Sequence, residues 1–143
     1  LAHSIILNSQ FIPDDVTIPD VIIETNTNSF DEYEMVTTAF NFLFIPDSVL
    51  YIGESAFEEC EYLIHITIGD EVVMINDNTF SKCKELSTIV IPGSVVDILS
   101  NAFNGCEKLK TVFYKSKEVS WNRIGLGGGN GSLEQCLIVY EYE

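Results

Sequence analysis

Between Leu1 and Ser81 the chain contains no lysine and no arginine; Lys82 is its first basic residue. Across all 143 residues seven basic side chains face 22 acidic ones, a formal charge of −15. A field of that sign repels phosphate backbones and anionic lipid heads, so nucleic acid is not an expected partner. No apolar run approaches the ~20 residues that a membrane-spanning helix needs, and no membrane insertion is expected. Four cysteines are too few for a fold built on disulfides. His3 and His65 are the only histidines. His3 falls in a stretch read as a loose terminus, and His65 on a strand without a nearby nucleophile, so the sequence contains no recognisable catalytic triad. The run Gly125–Gly131 is not followed by Gly-Lys-Ser/Thr, and Asn130 stands where a dinucleotide loop needs its last glycine; it reads as a turn.

What charge there is lies unevenly. Residues 1–81 hold 15 acids, while residues 82–143 hold seven of each sign. An acidic half of this kind solubilises a surface, or offers a docking end to a cationic partner or calcium, although no EF-hand spacing occurs. The chain opens at Leu1, and Ala2–Leu7 lacks the basic start and long apolar stretch of a signal peptide, which reads as a processed product.

Against these absences stands an internal repeat. Cys60, Cys83 and Cys106 are 23 residues apart, and the same step relates Phe57, Phe80 and Phe103, then Leu63, Leu86 and Leu109. Ile45, Ile68 and Ile91 follow it, as do Val49, Val72 and Val95, and Ile52, Ile75 and Ile98. Identical letters in six columns at one spacing mean that each copy is one coil of a stack, with inward side chains meeting their own kind. A worn earlier copy keeps Ile18-Pro19-Asp20 before Phe30, with Ile22, Thr25, Tyr33 and Val36 in the other columns. Past the third copy Val112 and Tyr114 extend the strand column, and Trp121 falls where Ile98 would recur.

Within a coil, Leu63-Ile-His-Ile-Thr-Ile68 alternates with the two-residue period of a strand buried on one face, which points Ile66 and Ile68 inward. Turn residues follow it, then a second short extended piece at Val49–Ile52. Ser55–Cys60 reads as one helical or 3₁₀ turn that returns the chain. The expected fold is an α/β repeat: a short right-handed solenoid with parallel strands on one face, short helical or 3₁₀ turns, and a cap at each end. It forms a single domain, with an N-terminal cap at 1–16, a degenerate repeat at 17–41, three repeats plus a closing strand at 42–114, and a C-terminal cap at 115–143. Cys136–Tyr140 is the expected last strand.

The pattern Ile-Pro-x-Ser-Val-x-x-Ile-x-x-x-Ala-Phe-x-x-Cys-x-x-Leu resembles the BspA-like leucine-rich repeat of surface proteins, closely over 42–114 and loosely over 17–41. The stretches Lys115–Ile124 and Leu137–Tyr140 are similar to the terminal cap of such bacterial arrays. The resemblance implies a non-catalytic secreted or cell-surface protein that adheres to host matrix, mucosa or other cells, and names no ligand.

In a stack of parallel strands the outward positions form ladders with rungs ~4.8 Å apart. One ladder is Phe42, His65, Thr88 and Thr111; the next is Phe44, Thr67, Val90 and Phe113. Exposed phenylalanines on one face mark contact sites, so these eight residues are the expected partner-binding face for a protein or glycan. The rival expectation is a structural or self-associating spacer. No cofactor or metal is expected, because cysteines 23 residues apart lack zinc-ligand spacing; they should form a buried thiol ladder. Cys136 should pack in the last strand, with a disulfide to Cys106 left open. Asn130-Gly131-Ser132 fits a glycosylation acceptor sequence.

Overall fold

The computed structural model describes residues 3–5, 41–45, 47 and 49–143, with backbone only for 3–5 and 51. The degenerate repeat at 17–41, apart from residue 41, and most of the N-terminal cap lie outside these residues. Five short strands stack in parallel as one sheet: β2 (Phe42–Phe44), β4 (His65–Thr67), β6 (Thr88–Ile91), β8 (Thr111–Tyr114) and β10 (Leu137–Val139). Their register pairs Leu43 with Ile66, Ile66 with Ile89, and Ile89 with Val112, so each step from β2 to β8 is the 23-residue step of the sequence. The same register carries the two outward columns read from the sequence.

A second parallel ladder joins β5 (Met74–Ile75), β7 (Asp97–Ile98) and β9 (Gly125–Leu126). β3 (Val49–Ile52) belongs to the same side of each coil but pairs in parallel with β1 (His3–Ile5), so the backbone at His3 is part of a strand and not a loose end. Strands therefore line two flanks of the solenoid rather than one.

Between the flanks lies the core. Phe57, Phe80 and Phe103 are fully buried, and their rings stack with centroids 5.7 and 5.5 Å apart and interplanar angles of 9° and 25°. Each buried ring contributes roughly 2–3 kcal/mol of transfer free energy. The Ile, Val, Leu and Cys columns are buried around them, which makes the core a set of one-residue columns repeated from coil to coil.

The segment read as one helical or 3₁₀ turn is a run of tight turns, with Ala56 N–H donating to Gly53 O and Glu58 N–H to Ser55 O. Ser55, Asn78 and Asn101 have φ of 57°, 57° and 60°, and Glu59, Lys82 and Gly105 have 61°, 61° and 77°. Left-handed residues on both sides of each Phe stop a helix from propagating, because only glycine takes that conformation without steric cost. Among the described residues helix appears only in the C-terminal cap, as α1 (Glu118–Trp121) and α2 (Gly131–Glu134). There the 23-residue step fails: Trp121 lies on α1, and it is Leu126 that pairs with Ile98. The four-residue helix lengthens the coil, so the slot is filled five residues later than the period predicts.

The cap ends the hydrogen-bond ladder through the phenylalanine column with a side chain. Phe57 N–H donates to Thr79 O at 2.8 Å and Phe80 N–H to Ala102 O at 2.9 Å, each one coil on. Phe103 N–H donates instead to Asn130 Oδ1 at 2.9 Å. Asn130 Nδ2 in turn donates to Leu99 O at 2.9 Å and Gly127 O at 2.8 Å. The buried Asn130 amide thus stands in for the backbone carbonyl that Phe57 and Phe80 find on the next coil. The glycine-rich run lets this segment lie close: a Cβ on Gly127 would stand 2.7 Å from Ser100 N and 2.8 Å from Leu99 C.

Candidate functional site

The outward columns of the first sheet differ along its length. At the β2 end Phe42 and Phe44 are 61% and 51% exposed. Beside them His65 is half-buried, its ring 6.4 Å from that of Phe42. Its Nδ1 lies 2.6 Å from Thr88 Oγ1 and its Nε2 3.0 Å from Thr67 Oγ1, so one ring nitrogen donates and the other accepts. Burial lowers the His65 pKa, which favours the neutral ring these hydroxyls hold. Thr67, Thr88 and Thr111 are likewise half-buried.

At the β8 end the apolar side chains are closed off. Val90 is only 3% exposed; a short side chain beside Phe113 in register, it adds no apolar area to the surface. Phe113 is half-buried, and the Tyr142 ring lies 4.8 Å from its own. Tyr142 N–H donates to Tyr114 O at 3.0 Å, which fixes the tail in that position. Of the three phenylalanines on this face, Phe42 and Phe44 form an open pair, and Phe113 is separately covered.

The opposite flank carries a feature the sequence reading passed over. Leu50, Val73 and Val96 are 44%, 52% and 58% exposed and recur at the 23-residue step. The signal was available: each sits directly after a buried valine of the 49/72/95 column. Tyr62 and Ile64 are also exposed, near the entry to β4.

Reactive chemistry is held inside the core. All four cysteines are free, so the pairing of Cys136 with Cys106 does not form. Cys83 Sγ donates to Phe57 O and Cys106 Sγ to Phe80 O, both at 3.1 Å, and Cys136 Sγ to Ser132 O at 3.2 Å. The adjoining Cys60 thiol, and then burial, hold Cys83 well above its ordinary pKa. Cys106 is pushed up to about 12, by burial first and then by Cys83. Among the described residues no three His, Cys, Asp or Glu side chains converge as metal ligands, and no helix is long and apolar enough to cross a membrane. The Asn130 acceptor sequence is not a modification site in the folded chain, since its amide is 1% exposed and takes part in three hydrogen bonds.

The model of the BspA type leucine-rich repeat region matches residues 28–125, in six copies. The chain belongs to that family. The crystal structure of a leucine rich cell surface protein from Faecalibacterium prausnitzii A2-165 is similar to this BspA-type chain, at 27% identity and a TM-score of 0.53. The similarity covers 60% of this chain and 29% of that one, so the repeat region described here corresponds to less than a third of that protein. A comparison with curated proteins found no match.

Proposed function

We propose that this BspA-type repeat region is a non-enzymatic interaction module of a secreted or cell-surface protein. It binds a protein or glycan of host matrix, mucosa or another cell along the outer face of the first sheet. The face comprises Phe42, Phe44, His65, Thr67, Thr88, Val90, Thr111 and Phe113, with Val90 acting as its floor. The observation that carries the reading is the exposure of Phe42 and Phe44, 61% and 51%, side by side on a rigid sheet. Aromatic side chains held in place by a scaffold contribute most of the binding energy in typical interfaces. The family and its cell-surface relative support the surface setting. Changing Phe42 and Phe44 together to serine should weaken capture by a panel of matrix proteins, mucins and glycans by about tenfold or more, with the thermal midpoint unchanged. Undiminished capture by the folded variant would remove the face from the proposal.

The charge asymmetry favours one other reading, a self-associating spacer in which the acidic half of one copy meets the lysine-bearing half of another. Association of that kind weakens as salt screens it. Sedimentation at low and high ionic strength separates the two readings, since an unchanged monomer at both rejects the spacer.

A further inference from the structure

The C-terminal end of the solenoid carries a concavity lined by none of the eight residues of the strand face. Between β9, β10 and the two short helices is a pocket of about 250 Å³, open to solvent on one side. Its floor includes the buried Ile98 and Leu133, and its walls include Trp121, Leu126 and Ile138. An apolar cavity of ~150 Å³ suffices for benzene, whereas a helix with side chains is about 10 Å across and is too wide to enter. The space therefore suits one ring or a short branched chain.

Charge selects among such molecules. Among the described residues Glu134 is the only carboxylate in the lining, and it is exposed. Cys136, also in the lining, is neutral at physiological pH, because burial raises its thiol to about 11. Residues 82–143 balance seven charges of each sign, so the Glu134 carboxylate gives the mouth its negative character, which favours cations over anions. We propose that this pocket binds small amines that carry a single aromatic or branched apolar body, with the body against Trp121 and the ammonium at Glu134.

The chain has one tryptophan, so the fluorescence of Trp121 reports the site directly. Titration with 2-phenylethylamine should give a saturable change with a midpoint of about 1 mM, as expected for a ligand of this size. Phenylacetate, with the same ring and opposite charge, should bind more weakly. Glu134→Gln should weaken the amine by about two- to fivefold, the range of an exposed ion pair, and leave phenylacetate no worse. Leu126→Arg, at a half-exposed wall position, should abolish the amine response. Failure to saturate by about 10 mM, or equal binding of the two ions in wild type and Glu134→Gln alike, would overturn the proposal. So would an amine response that falls as protein concentration rises, since that would mark a second copy as the occupant.

Discussion

The interior coils and the C-terminal coil meet the same requirement by different means. In the interior, Phe57 N–H and Phe80 N–H find backbone carbonyls on the next coil, at Thr79 and Ala102. At the end the next segment brings no backbone carbonyl to Phe103 N–H, which finds the Asn130 side chain. A buried amide hydrogen without a partner costs about 1–3 kcal/mol, so a stack needs an ending as much as it needs a period. Asparagine supplies it because its side chain carries the same carbonyl and N–H pair as a peptide bond.

The comparison can be tested from either side. Phe80→Ala, in the middle of the ring stack, should lose about 3–5 kcal/mol in urea unfolding, while the exposed Glu58→Ala stays within about 0.5 kcal/mol; equal midpoints would refute the register. Asn130→Ala should lose about 2–4 kcal/mol, the cost of leaving Phe103 N–H and Leu99 O without their partner. Hydrogen exchange sharpens this: the Phe103 amide should exchange faster while the Phe57 amide, with a backbone acceptor, keeps its protection. The smallest effect is expected at the shared left-handed turn position, where Gly105→Ala should cost about 1 kcal/mol. Lys82→Gly should gain less than that, because relief of strain is offset by a looser unfolded chain. A thermal melt of both variants checks that the signs are opposite.

Much of the fold was legible because like packs on like. The 57/80/103 column was read as touching rings, and those rings stack at 5.7 and 5.5 Å. The two outward ladders appear in the strand register residue by residue. What occurs once left no comparable trace. Trp121 matched the period by number, yet it sits on a helix that period-counting cannot see. Asn130 read as a loop residue or glycan acceptor, because its role depends on Phe103 N–H arriving from 27 residues away. The covering of Phe113 depends on Tyr142, which belongs to no column. The extent of the candidate face was therefore harder to read than its register: alternation tells which way a strand residue points, but not whether the tail folds back over it.

The thiols stacked through the core have a consequence for how such an array can grow. Duplicating a cysteine with every coil would ordinarily invite mispairing wherever the surroundings are oxidising, since each new sulfur adds further wrong partners. Here Cys83 and Cys106 lie buried, donate to the carbonyl of an earlier coil, and are held far from the thiolate form that exchanges, as disulfide chemistry requires an ionised sulfur. Lengthening the solenoid by whole units thus multiplies cysteines in the folded array without multiplying crosslinks.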